Sequence, residues 1–145
     1  MRRRLLLGAM AVVTLLLRPL AALAQWHQEA FSADQLAAAL RALFGDRTPE
    51  PSAAIALDVE PKIENGAVVP VQISAAVDGV TSINIFAEKN PNPLLARFHL
   101  SARCRPMVAT RVKIGAPSDL FIVVETKDRL LSTRRFVEVV EGGCN

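Results

Sequence analysis

The chain has 145 residues, 51% of them apolar, with a formal charge of +3, two cysteines, two histidines, one tryptophan and no tyrosine. That length suits a single domain, and a basic balance raises nucleic acid or an anionic membrane as a partner. The placement of the charge removes the ground for both. Arg2, Arg3, Arg4 and Arg18 fall in an acid-free N-terminal stretch, and without them thirteen bases face fourteen acids, a net of −1.

Residues 1–24 have the three parts of an export signal. Arg2-Arg3-Arg4 precedes an apolar run over 5–17, and Ala22-Leu23-Ala24 stands before Gln25. The run is too short to cross a bilayer, which takes about 20 helical residues, so no stable membrane anchor is expected. Pro19 breaks the helix just ahead of the small residues, which places cleavage after Ala24. The paired arginines before Leu5 and Leu6 fit the twin-arginine route, and an ordinary secretory signal with an arginine-rich front fits them equally. Both put residues 25–145 outside the cytoplasm.

Next comes a helix. Ser32 and Gln35 have the spacing of a capping box, Leu36, Leu40, Leu43 and Phe44 fall on one face, and Gly45 supplies a stop. A helix is therefore expected over 33–44, docked through that face. Residues 46–52, with Pro49 and Pro51, read as an extended connection.

From Ile55 the period changes from helical to two. Strands are expected over 55–59, 68–76, 82–88, 95–101, 108–114, 120–125 and 134–140. Val108, Thr110, Val112 and Ile114 alternate with Ala109, Arg111 and Lys113, so one face of that strand can be buried and the other wet. Glu64-Asn65-Gly66, Asp78-Gly79, Asn90-Pro91-Asn92-Pro93, Ala116-Pro117-Ser118 and Lys127-Asp128 supply turns. Seven short strands in this pattern favour an all-β fold, an immunoglobulin-like β-sandwich with one N-terminal helix, and a small barrel is the alternative. Pro70 calls for an edge position or a bulge in the second strand, because proline cannot donate to a ladder. There is no internal repeat and no sign of a second domain within 25–145.

Catalytic chemistry is hard to assemble. His27 and His99 lack metal-ligand spacing, and His99 alternates with Arg97 on what reads as an exposed strand face. No serine stands in a nucleophile elbow and no glycine-rich phosphate loop is present. Arg103, Arg105, Arg134 and Arg135 lack interleaved aromatics and read as surface or strand-end charges, not as nucleic-acid contacts. No metal or cofactor is called for.

The last residues differ. After the strand over 134–140 come Glu141, Gly142, Gly143, Cys144 and Asn145. Two glycines leave the backbone unrestrained, so Cys144 reads as a thiol on a thin, mobile stalk. At about 3.3–3.6 Å per extended residue, the stalk projects the sulfur roughly 10–14 Å from the sheet, a reach suited to another protein's pocket. The structural alternative is a Cys104–Cys144 disulfide, common in exported proteins and worth about 4 kcal/mol in the chain-entropy model. Against it, Gly142-Gly143 leaves one end of the bridge unanchored.

The run Glu88-Lys89-Asn90-Pro91-Asn92-Pro93-Leu94, the earlier Glu64-Asn65-Gly66 with Val69-Pro70-Val71, the helix end Leu43-Phe44-Gly45-Asp46 and the terminal Gly142-Gly143-Cys144 together resemble the SoxY family, the sulfur carriers of periplasmic thiosulfate oxidation. The resemblance covers nearly all of residues 25–145 in the expected order. It implies a carrier and not an enzyme. Cys144 would be the covalent attachment point for sulfur intermediates, Gly142 and Gly143 its hinge, residues 141–145 the arm, and the bound sulfur the only group carried. The resemblance also implies partners: a SoxZ-like β-sandwich subunit in a heterodimer, a c-type cytochrome complex that loads thiosulfate, a sulfate-releasing hydrolase and a sulfane dehydrogenase, all in the periplasm.

Glu141 and the α-carboxylate of Asn145 flank Cys144, and nearby negative charge disfavours a thiolate. The thiol is therefore expected to stay quiet until cationic groups or metals of a partner activate it. Family arms continue Gly-Gly after the cysteine, whereas Asn145 follows it here. Two other functions stay open: an exported immunoglobulin-like interaction module locked by Cys104–Cys144, and a SoxY-like carrier serving a different periplasmic oxidation.

Overall fold

The computed structural model describes residues 27–140. The export signal expected at 1–24 and the arm at 141–145 lie outside them. The described part begins with two short helices, α1 (Gln28–Ser32) and α2 (Leu36–Phe44). The single helix expected over 33–44 is thus corrected: residues 33–35 are not helical, and Ala33 (ψ 139°) and Gln35 (φ −131°) are extended. Ser32 does not cap α2. Its hydroxyl turns back to the Gln28 carbonyl at 2.8 Å, and a hydroxyl spent on its own helix is lost to the next one. The expected stop holds, with Gly45 at φ 64° and its N–H on the Arg41 carbonyl.

Nine strands follow: β1 (Glu50–Pro51), β2 (Ile55–Asp58), β3 (Lys62–Ile63), β4 (Val69–Ala75), β5 (Val80–Ala87), β6 (Leu94–His99), β7 (Met107–Val112), β8 (Ser118–Thr126) and β9 (Leu130–Val139). The larger sheet runs β1-β9-β8-β5-β6 with β3 also on β9, and the smaller runs β2-β4-β7. They pack face to face as an immunoglobulin-like β-sandwich. All seven expected strands are present, with ends that differ by at most four residues. β1 and β3 are additional, each two residues long and parallel to β9.

The core follows from the alternation. Val69, Val71, Ile73 and Ala75 of β4 face Ile83, Ile85, Leu120, Ile122 and Val124 of the larger sheet, all buried. The opposite face of that sheet is covered by α2, where Phe44 and Ala39 meet Phe86, Phe121, Val123 and Leu130. β5 and β8 are therefore buried on both sides, which explains their near-continuous apolar runs. Phe44, at 6% exposure, contributes about 2–3 kcal/mol of burial to docking the helix.

Pro70 is neither on an edge strand nor at a bulge, because β4 is the middle strand of its sheet. The Ala76 N–H donates to Ala54, so the even-numbered residues of β4 direct their backbone toward β2. β2 ends at Asp58, opposite Gln72, and no donor is required two residues further along. Proline fits because the ladder has already stopped there.

Candidate functional site

The end of β9 is fastened more tightly than its sequence indicates. β8 pairs with it as far as Val137. On the other edge Glu138 N–H donates to the Pro61 carbonyl and Val140 N–H to the Ile63 carbonyl, both at 2.8 Å. β3 supplies this second grip in parallel register, Lys62 opposite Glu138 and Ile63 opposite Val139. The chain is thus held to residue 140, and Cys144 follows four positions later. Cys144, Gly142 and Gly143 themselves lie outside the described residues.

Gly66 makes the grip possible. Its carbonyl accepts the Ile114 N–H at 2.7 Å, and a Cβ at this position would overlap the Ile114 carbonyl oxygen and lie 2.9 Å from Val139 Cγ1. Only a glycine lets the loop leading out of β3 pass between β9 and the end of β7. Asn65 steadies that loop by accepting the Ala67 N–H at 3.0 Å. Beside the grip lies an open cleft of about 550 Å³ that includes Ile63, Asp58, Glu60, Gln72 and Arg111 in its walls.

The other candidates do not gather there. Cys104 is a free, exposed thiol in the loop between β6 and β7. Its sulfur lies 3.3 Å from Ser101 Oγ, and its N–H donates to the Ser101 carbonyl at 3.0 Å. Hydrogen bonding by the Ser101 side chain, then by its backbone, holds the thiol below its ordinary pKa against a smaller opposing effect of desolvation. The loop sits at the end of the sandwich where Leu100 bonds Thr81 and Leu130 pairs with Glu125. Val140 is at the opposite end, roughly 30 Å away along β9 at about 3.3 Å per residue.

Four residues after Val140 span at most about 14 Å, and a disulfide joins Cα atoms about 5.5–6 Å apart. An intrachain Cys104–Cys144 bridge would therefore require the end of β9 to peel away from β3.

His99 is exposed, as expected, and its Nε2 accepts from Arg97 Nε at 3.2 Å. Arg97 corrects the sequence reading, which placed it on an exposed face: its side chain is only 10% exposed, with the guanidinium 5.7 Å from the centre of the Phe44 ring. It pairs with Glu125 at 3.1 Å, and Glu125 also takes Arg47 at 3.2 Å and the Ser82 hydroxyl at 2.9 Å. Asn84 extends the network by donating to Ser82 Oγ and to the Val123 carbonyl. Burial lowers the Arg97 pKa, and Glu125 partly restores it.

This network fastens the helical layer to the sheet near the start of β9, at the end of the sandwich away from Val140. Its only sequence signal was the polar alternation of Ser82 and Asn84 inside an apolar strand. His27 precedes α1, and among the described residues no group of three or more His, Cys, Asp or Glu could hold a metal ion. Arg134 stacks 4.9 Å from the Phe121 ring centre and pairs with Asp119 at 3.6 Å, while Arg103, Arg105 and Arg135 are exposed. Among the described residues no helix is long and apolar enough to cross a membrane.

The anchored β9, the glycine-dependent grip on its end and the thiol four residues beyond now stand beside known proteins. The family model described as "Sulfur oxidation protein SoxY" matches residues 40–144, a span that includes Cys144. A solved structure of the sulfur carrier protein SoxY from Chlorobium limicola f thiosulfatophilum is 35% identical, covers 79% of this chain and 99% of its own, and superposes with a TM-score of 0.67. No curated protein matches. With the family model spanning well over half of its length, the chain belongs to the SoxY family of sulfur oxidation proteins.

Proposed function

We propose that this chain is a covalent carrier of sulfur intermediates, bound at Cys144 and presented to successive enzymes on the arm hinged at Gly142 and Gly143. The observation that carries the reading is the fastening of β9 by β8 as far as Val137 and by β3 on to Val140, four residues before the thiol, within a family match that continues to residue 144. A carrier needs a rigid body to be recognised and a short free segment to enter each active site. A strand fastened on both edges supplies the first, and two glycines supply the second.

The carrier contributes the thiol and its partners contribute the catalysis. A c-type cytochrome complex takes two electrons as the thiol and thiosulfate join through a new S–S bond, with loss of the thiol proton. A hydrolase then adds water to the terminal sulfone, releasing sulfate and a proton and leaving a persulfide on Cys144. A sulfane dehydrogenase oxidises the remaining sulfur. The same proposal includes export by the signal at 1–24, a periplasmic location and a heterodimer with a SoxZ-like subunit. A lone thiol without a fixed base is a poor catalyst, which suits a substrate platform.

Intact mass spectrometry tests this directly. Incubated with thiosulfate and the oxidising cytochrome, the protein should gain sulfur-containing adducts that disappear with Cys144→Ala and persist with Cys104→Ala. Equal labelling of both variants would overturn the assignment. The competing module locked by Cys104–Cys144 is disfavoured by the roughly 30 Å between the anchoring points. Peptide mapping without reductant decides it, since a quantitative Cys104–Cys144 peptide from monomeric protein would restore that reading.

A further inference from the structure

We propose that the free edge of β7 is a docking strand for an extended, carboxylate-bearing segment of a partner protein. The inference is independent of the chemistry at Cys144. Among the described residues β7 pairs only with β4. The Ala75 N–H donates to the Pro106 carbonyl and register carries Ser74 opposite Met107, so even-numbered residues of β7 direct their backbone toward β4. In an antiparallel ladder the alternate residues then point the other way. The Met107 carbonyl and both backbone groups of Ala109 and Arg111 therefore face outward along an unpaired edge.

The window has defined ends. At one, the Met107 N–H is taken by the Arg105 carbonyl at 2.7 Å. At the other, Asn90 acts as a short stand-in for a neighbouring strand: its Nδ2 donates to the Lys113 carbonyl and its Oδ1 accepts the Gly115 N–H, both at 2.8 Å. Between these ends a strand of about five residues can add to the sheet.

Charge selects the occupant. From residue 100 to 118 the chain has Arg103, Arg105, Arg111 and Lys113 and no acid. Among the described residues none of these four makes an ion pair. Behind the edge, Arg111 lies opposite Pro70 and Ala109 opposite Gln72, both uncharged. Asp58 is one strand further away, on β2, about 10 Å from β7, and Glu60, which lines the same cleft as Arg111, makes no ion pair with it.

A second copy of this strand fits badly, because any antiparallel self-pairing brings four bases alongside four bases, and like charges across strands oppose pairing. Bare bases on an edge guard against self-association and leave the edge open to an acidic strand. On the outward face Met107, 50% exposed, and Ala109 would take an apolar side chain, with carboxylates opposite Arg111 and Lys113.

The probe is the peptide acetyl-Glu-Thr-Glu-Thr-Val-Thr-Leu-amide, titrated into the 15N-labelled chain, with the Lys-for-Glu peptide as control. The Ala109 and Arg111 amides should shift and gain exchange protection, while those of Val108 and Thr110, already bonded to β4, stay unchanged. Ala109→Pro removes an outward donor without touching the β4 ladder. It and the double variant Arg111→Glu, Lys113→Glu should each weaken binding by at least about tenfold. The charge variant alters only exposed side chains, so it answers the question if the proline variant is misfolded. No protection at saturating peptide, equal binding of both peptides, or a dimer of the free chain that Ala109→Pro dissolves would each overturn the proposal.

Discussion

Replacing Gly66 with alanine puts the grip on β9 to a quantitative test. The added Cβ would overlap the Ile114 carbonyl oxygen and press on Val139 Cγ1 at 2.9 Å, and both neighbours belong to structure that cannot yield cheaply. One is backbone, and the other belongs to β9 where β3 holds it in register opposite Ile63. Overpacking of this kind costs about 1–3 kcal/mol. Displacing the loop also weakens the 2.7 Å bond from Ile114 to Gly66, about another 1 kcal/mol. The sum, about 2–4 kcal/mol, should lower the urea midpoint by roughly 1–2 M for a chain of this size.

Gly115→Ala is the control. It lies in the same region, and its Cβ would make an ordinary 3.6 Å contact with Asn90 Oδ1. It should change stability by less than about 1 kcal/mol, in the stabilising direction through the unfolded chain. Hydrogen exchange adds a local readout, since the Glu138 and Val140 amides should lose protection in Gly66→Ala before those of β8 do. If Gly66→Ala unfolds within about 0.5 kcal/mol of the parent, the packing argument for the grip is refuted.

Two further outcomes follow from the polar contacts. Glu125→Ala removes the partner of Arg97, whose side chain is 10% exposed, and leaves a guanidinium without its counter-charge beneath Phe44. Loss of about 2–4 kcal/mol is expected by chemical denaturation, whereas Glu50→Ala, which breaks a pair exposed at both partners, should cost less than about 1 kcal/mol. In a Cys144→Ser background, Ser101→Ala should move the pH profile of Cys104 alkylation upward. The Ser101 bonds hold the thiol low, so removing one shrinks the thiolate fraction at any pH near neutrality. An unchanged profile would show that those bonds do not act in solution.

Much of the fold could be read from the chain alone because its signals are local. The period-two runs, the turns at Asn65-Gly66 and Asp78-Gly79 and the stop at Gly45 each depend on neighbours within a few residues. β1 and β3 could not be read, because two residues carry no period. They exist only because β9 offers an edge to Glu50–Pro51 and Lys62–Ile63. The break between the helices escaped for a related reason: Ser32 had two partners within reach, and the spacing to Gln35 does not say which one it takes.

Arg97 shows where pattern reading stops. Alternation with His99 placed it on the outward face of β6 correctly, but whether that face is wet depends on α2, some fifty residues earlier in the chain, laying Phe44 over it. Pro70 argued for an edge on sound chemistry, and only the pairing of β4 revealed that its neighbour ends before the missing donor is needed. The two cysteines follow the same rule. The terminal order Gly142, Gly143, Cys144 is written in the sequence, whereas the distance between Cys104 and the root of that segment is a property of the sandwich.

Sequence by itself determined the seven longer strands, the all-β class and the order Gly142-Gly143-Cys144, since each depends on covalent order and short-range periodicity. Tertiary structure decided which edge of β9 is gripped, which arginine is buried and which edge of β7 is left open, because those depend on segments far apart in the chain being brought within hydrogen-bonding distance.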